Sequence, residues 1–237
     1  MIDINCDIGE GIGNDTQLMP YINSANIACG YHAGDAETMR RVIDLCLQYK
    51  VNIGAHPSFP DRENFGRMPM QLSAEEIYAL VTAQLTAISK EAKVCGTKLH
   101  HVKPHGALYN MAAKDATLAK AIAQAVKDFD ASLVYYGLSG SVMIEVANKL
   151  GLQTADEVFA DRTYQNDGSL TPRTQPSALL HDKEEVIRQV LRFVHQNKIT
   201  TITGEEIFIK AGTICIHGDG EHAVEFAKAI HQTLYEK

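Results

Sequence analysis

No run of apolar residues in this sequence approaches the ~20 that a membrane-spanning helix requires, so an integral membrane protein is not expected. No block of like charge occurs either. With a formal net charge of −7, neither nucleic acid nor an anionic membrane is a natural partner. The first residues enter a strand-like pattern without a basic region or an apolar signal core. The five cysteines (Cys6, Cys29, Cys46, Cys95, Cys215) are an odd number and form no CxxC pair. Free thiols in a reducing cytoplasm account for them most simply. There is also no linker, low-complexity tract or charge boundary at which to cut the chain. Residues 1–237 therefore read as a single cytoplasmic domain. A composition of 45% hydrophobic and 22% charged residues is ordinary for a globular protein and ample for a core.

What is present is an alternation of strand and helix. Residues 2–7 separate Ile2, Ile4 and Cys6 from Asp3, Asn5 and Asp7 at period two. Residues 25–32 and 51–56 repeat the pattern, and further strands are expected near 98–103, 133–136, 157–162 and 213–217. Between them lie helical stripes: Met39, Val42, Ile43 and Cys46 behind a capping Asp35, and a long helix opened by Ser73 and Glu76. Others are predicted from about Leu108 to Phe129, from Val142, from Asp182 and through Val224 to Leu234, with residues 199–210 as a hairpin insertion.

About seven such units with short connections predict an α/β fold with a parallel sheet. Strands of an open doubly wound sheet should be apolar on both faces. Here several keep one face of Asp, Asn, Gly, Thr and His. An irregular seven-stranded (β/α) barrel with a polar interior explains this, with a flavodoxin-like open sheet as the alternative. The titratable groups fall at the predicted strand ends, the active-site face of such barrels. They are Asp7 and Glu10, His32 and Asp35, His56, His101 with Lys103 and His105, Asp161 with Arg162, and His217 with Asp219. One loop histidine is unremarkable, but six such corners in successive units point to a shared site. In His101-Val-Lys-Pro-His105, Pro104 prevents the histidines from sharing a helical face. His101 and Lys103 should face the barrel interior, with His105 in the loop beyond.

The runs Asn5–Gly11, Asn26–Asp35, Gly54–Asp61, His101–Asn110, Glu157–Arg162 and Cys215–Asp219 resemble the signature runs of the LamB/YcsF family across essentially the whole chain. The resemblance implies an irregular seven-stranded barrel related to the glycoside hydrolase/deacetylase superfamily. That family supplies the A component of bacterial 5-oxoprolinase. Membership would therefore imply an ATP-dependent hydrolase that opens the lactam of 5-oxo-L-proline to L-glutamate, working with subunits B and C.

Opening a lactam requires a nucleophile, charge stabilisation at oxygen and a proton for the departing nitrogen. Asp7 or His56 suits the general base, and His105 or His217 the acid. Lys103 suits a developing oxyanion or transferring phosphoryl group, or else a salt bridge to Asp7 or Asp161. Glu10 can orient a neighbour, and His32, Asp161 and Asp219 complete the catalytic candidates. Arg62, Arg67 and Arg162 are candidates for the substrate carboxylate, with His101 beside them. There is no GxxxxGK(S/T) loop, so ATP binds either on a partner subunit or in a pocket without a known motif. Asp7, His32, His56, His105 and His217 offer donors for a divalent metal, although no HExxH or comparable spacing marks one. Of the cysteines, only Cys29, beside Gly30, merits a test as nucleophile. Two other functions stay open: a metal-dependent carbohydrate deacetylase-like hydrolase, and a non-catalytic scaffold subunit.

Overall fold

In a computed structural model, which describes residues 2–236, seven parallel strands close into a barrel. They are β1 (Asp3–Ile8), β2 (Ser24–Ala28), β3 (Asn52–His56), β4 (His101–Val102), β5 (Val134–Leu138), β6 (Gln153–Phe159) and β9 (Thr213–Ile216). The strands neighbour one another in that order, and β9 returns to pair with β1. The remaining two, β7 (Lys198–Thr200) and β8 (Glu206–Phe208), form the antiparallel hairpin expected before the last barrel strand. Closure excludes the open-sheet alternative.

The helices are α1 (Asp15–Leu18), α2 (Ala36–Tyr49), α3 (Ala74–Val94), α4 (Gly106–Ala112), α5 (Ala116–Phe129), α6 (Val142–Lys149), α7 (Lys183–Gln196) and α8 (Ala223–Tyr235). Their starts follow local chemistry. Asp35 accepts from Thr38 N at 2.8 Å, and Asp182 accepts from Glu185 N at 2.9 Å. Ser73 and Glu76 form a reciprocal capping box at 3.2 and 2.7 Å. Helix α2 buries Met39, Val42, Ile43 and Cys46 against the barrel; each such side chain contributes ~1.5–3 kcal/mol.

Four expected elements differ in extent, one being the strand near 98–103, which is only His101–Val102. The helix anticipated over 108–129 is two, because Asp115 accepts from Thr117 N and Leu118 N and so starts α5 afresh. Strand β2 ends at Ala28, leaving Cys29 to His32 in the following turn. Strand β6 spans Gln153–Phe159 rather than 157–162, so Asp161 and Arg162 lie in the loop beyond it. There Arg162 and Leu179 form an isolated antiparallel bridge, which draws the chain off the barrel.

Register positions the interior. Asp7 pairs with Asn26, Asn26 with Gly54, and Gly54 with His101, placing four residues on one level around the barrel. Gly54 is required there. A β-carbon on it would lie 2.0 Å from His101 Nε2, so the missing side chain is the space His101 occupies. His101 in turn hydrogen-bonds Asn26 Oδ1 at 2.8 Å and stacks on Tyr136 with centroids 4.2 Å apart.

Candidate active site

At the floor of the barrel mouth, Lys103 lies at the carboxyl end of β4 with only 2% of its surface exposed. Its Nζ is 2.9 Å from Asp7 Oδ1, 2.9 Å from Glu157 Oε1, 3.0 Å from Cys215 Sγ and 3.3 Å from Asn5 Oδ1. Burial alone would favour the neutral amine, but Asp7, Cys215 and Glu157 together hold its pKa well above the ordinary value. Burial likewise opposes the Asp7 anion. His56 and Lys103 outweigh that and keep Asp7 well below the carboxylate range. Asn26 Nδ2 adds a donor to Asp7 Oδ1 at 2.8 Å. Two buried carboxylates thus share one ammonium.

Beside this floor stands a second group. His32 Nε2 is 2.9 Å from Glu10 Oε1, and His105 Nδ1 is 2.8 Å from His56 Nε2. The ligand-capable atoms of Glu10, His32, His56 and His105 all lie within 4.8 Å of one another. Burial and then the Asp7 charge push Glu10 well above the carboxyl range. Burial, followed by His56, drives His32 down to about 2, while burial, His32 and His56 push His105 well below the ordinary imidazole value. Phe65, in the left-handed backbone region at φ 57, sets its ring edge-on to both His32 and His105.

A third group rims the mouth. Asp161 accepts from His217 Nδ1 at 2.9 Å, and its pKa is lowered because His217, with Arg162 and Arg173, outweighs the burial penalty. Asp219 binds Arg67 at 2.5 Å and faces Arg173 at 3.9 Å. All three groups border one cavity of about 810 Å³.

The structure therefore gathers Asp7, Glu10, His32, His56, Lys103, His105, Asp161, His217 and Asp219 at one end of the barrel. The residues expected to bind substrate are more dispersed. Arg62 is exposed and donates to the carbonyls of Gly30 and Gly34, tying down the turn before α2. Arg162 lines the cavity but is committed to Ala178 O at 3.1 Å and Thr171 O at 2.5 Å. His101 is wholly buried below the cavity. Arg67 reaches the cavity rim, where it meets Asp219. The metal set is also redistributed: His32, His56 and His105 join Glu10, while Asp7 turns to Lys103 and His217 to Asp161. Asp7, Cys215 and His217 form a second close group, yet Lys103 already engages both Asp7 and Cys215. Cys29 is buried with its thiol pushed up to about 12 by desolvation, which leaves it a poor nucleophile.

Sequence reasoning passes over Asn5, Asn26, Glu157, Ser58 and Arg173. Asn5 and Asn26 sit on the polar faces of alternating strands, and that alternation is the signal that marks them. Glu157 opens a Glu-Val-Phe-Ala-Asp-Arg run in which the last two residues carry the more obvious chemistry. Arg173 lies in a polar loop without local signal.

Comparison with known proteins places the chain. The LamB/YcsF family profile matches residues 2–237. The A subunit of 5-oxoprolinase from Tolumonas auensis is 54% identical over 99% of this chain and 96% of its own length. The crystal structure of a lactam utilization protein from Thermus thermophilus superimposes with a TM-score of 0.91 at 42% identity, covering 98% of this chain and 95% of that one. A family 4 carbohydrate esterase from Streptomyces lividans shares the fold alone, with a TM-score of 0.52 at 12% identity, over 98% of this chain and 86% of its own. By profile, identity and superposition, this chain belongs to the LamB/YcsF family.

Proposed function

We propose that this chain, as one barrel domain, is the catalytic A component of a cytoplasmic ATP-dependent 5-oxoprolinase, hydrolysing the cyclic amide of 5-oxo-L-proline to L-glutamate with subunits B and C. Five relatives bearing the name of that component, at 52 to 55% identity, support the assignment. The observation that carries it is the cavity itself: a proton-carrying Asp161–His217 pair faces an arginine rim above a charged floor.

The division of labour follows from the hydrogen bonds. Asp161 engages His217 Nδ1, which fixes the tautomer and leaves Nε2 without a hydrogen bond among the described residues. That nitrogen takes a proton from attacking water and returns one to the departing lactam nitrogen. His105, the other candidate acid, donates Nε2–H to Phe65 O at 2.9 Å and turns Nδ1 inward to His56 Nε2, away from the Asp161–His217 side of the cavity. Asp7 is held so firmly as an anion that it is a weak base; its role is to anchor Lys103. Arg67 and Arg173 suit the substrate carboxylate, since planar guanidinium matches it bidentately. ATP phosphorylates the amide oxygen and leaves as ADP; water then adds to the imidate carbon, the ring C–N bond breaks to leave an acyl phosphate, and a second water releases phosphate to give L-glutamate. The cavity is larger than a five-membered lactam needs, which leaves room for a phosphoryl donor reaching in from a partner subunit.

The test is reconstitution with subunits B and C, following glutamate formation with and without ATP. His217→Ala should lower kcat by ~100-fold or more with the complex intact. Full activity in that variant would remove the proton-transfer role. Retention of activity in His56→Ala and His105→Ala as well would leave only a scaffold. ATP-independent hydrolysis by the isolated chain would instead favour a deacetylase-like enzyme.

A further inference from the structure

The proton inventory of Glu10, His32, His56 and His105 does not close within the protein. His56 Nδ1 is 2.7 Å from the carbonyl oxygen of Lys103, which can only accept, so Nδ1 carries the hydrogen and Nε2 the lone pair. His105 Nε2 is 2.9 Å from the carbonyl of Phe65, so its lone pair is on Nδ1. Ser58 Oγ donates to Phe59 O at 2.9 Å and must therefore accept from His32 Nδ1 at 2.8 Å, which leaves the His32 lone pair on Nε2. The outward nitrogen of every ring is thus a donor, and the inward nitrogen an acceptor.

Those acceptors face one another. His56 Nε2 and His105 Nδ1 are 2.8 Å apart with no hydrogen between them, and His32 Nε2 is 2.9 Å from Glu10 Oε1, where a proton on Glu10 closes that one contact and leaves the other open. Glu10 Oε1 is a further 3.3 Å from His105 Nδ1 and 3.8 Å from His56 Nε2. All four residues are at least nine-tenths buried, and Glu10, His56 and His105 border the cavity. We infer that Glu10, His32, His56 and His105 form a binding site for one divalent transition metal of the zinc class. Four donors around such an ion at ~2.0–2.1 Å stand about 3.4 Å apart, and the observed separations bracket that distance. Three imidazoles and one carboxylate suit a borderline ion rather than magnesium or calcium. Each ring's outward hydrogen is already held by a carbonyl or hydroxyl, which fixes the tautomer and ring orientation that a metal-bound histidine requires. The adjacent floor supplies a further reason: Asp7 and Glu157 share a single ammonium, so that a nearby cation is electrostatically favoured. When bound, such an ion polarises a carbonyl or phosphoryl oxygen, or acidifies water.

The site rests on these four side chains and not on the substrate assignment, and its readouts are metal content and spectra. Its failure would therefore leave the lactam reaction standing. Wild-type protein should purify with about one equivalent of zinc-class metal by plasma mass spectrometry. After chelation it should rebind Co²⁺ with the intense visible bands of a four-coordinate site. Glu10→Gln and His56→Ala should weaken Co²⁺ affinity by ~100-fold or more, and Ser58→Ala by ~10- to 100-fold. Lys149→Ala, on an exposed helix face, should bind as wild type. A folded wild-type protein that takes up no stoichiometric metal overturns the site, as does unchanged affinity in Glu10→Gln and His56→Ala. Where a variant misfolds, ring ¹⁵N resonances of the wild type decide. Zn²⁺ must shift Nε2 of His32 and His56 and Nδ1 of His105, and unshifted resonances reject the assignment.

Discussion

Lys103 Nζ and Asp7 Oδ1 meet at 2.9 Å beneath the cavity, and Glu157, on β6, approaches the same ammonium at 2.9 Å. Removing the ammonium leaves two buried carboxylates without a cation. Lys103→Met should therefore destabilise the fold by ~3–5 kcal/mol, measured by urea unfolding. Adding Glu157→Gln should recover part of that loss. A double variant no more stable than Lys103→Met would show that Glu157 is not part of the balance.

Gly54 and His101 make a steric pair. Gly54→Ala places a methyl group where the imidazole sits, and such overpacking typically costs ~1–3 kcal/mol. Combining it with His101→Ala should be markedly less damaging than the sum of the single losses. Additive losses in a double-mutant cycle would contradict the shared space.

The Asp161–His217 pair has a pH signature. The folded-state pKa of Asp161 lies below its unfolded value of about 3.9. Its stabilisation is fully present above that unfolded value and is lost as pH falls through the folded value. Asp161→Asn should thus be less stable than wild type at neutral pH, with the difference shrinking in acid. Urea midpoints from about pH 6 to about pH 3 test this. A gap that widens on acidification would reverse the sign.

Arg173 should act on binding rather than turnover. Arg173→Ala in the reconstituted enzyme should raise the KM for 5-oxo-L-proline by ~10-fold or more with kcat little changed. A fall in kcat at constant KM would instead place Arg173 in the transition state.

Much of this architecture is legible along the chain because it is encoded locally. Period-two alternation marks the strands and their polar faces. Ser73 with Glu76, Asp35 and Asp182 mark helix starts through hydrogen bonds reaching three residues or fewer. Lys103 is recognisable because Pro104 ends its strand and turns it inward. The break at Asp115 is also local, but a continuous apolar stripe conceals it.

The arginines and histidines show where that legibility stops. Arg62, Arg67 and Arg162 look alike in sequence, yet two are spent on loop carbonyls and one reaches the cavity rim. Arg173 is silent until the loop after β6 folds back. Five histidines at strand ends predict a site, but not that three join Glu10 while His217 pairs with Asp161. The alternation, the closed-barrel expectation and the corners that carry chemistry can be read along the chain, because these depend on residues close in sequence. Partners and proton positions emerge only on folding, because they depend on atoms 2.8 Å apart that the chain separates by 49 residues, as in His56 and His105.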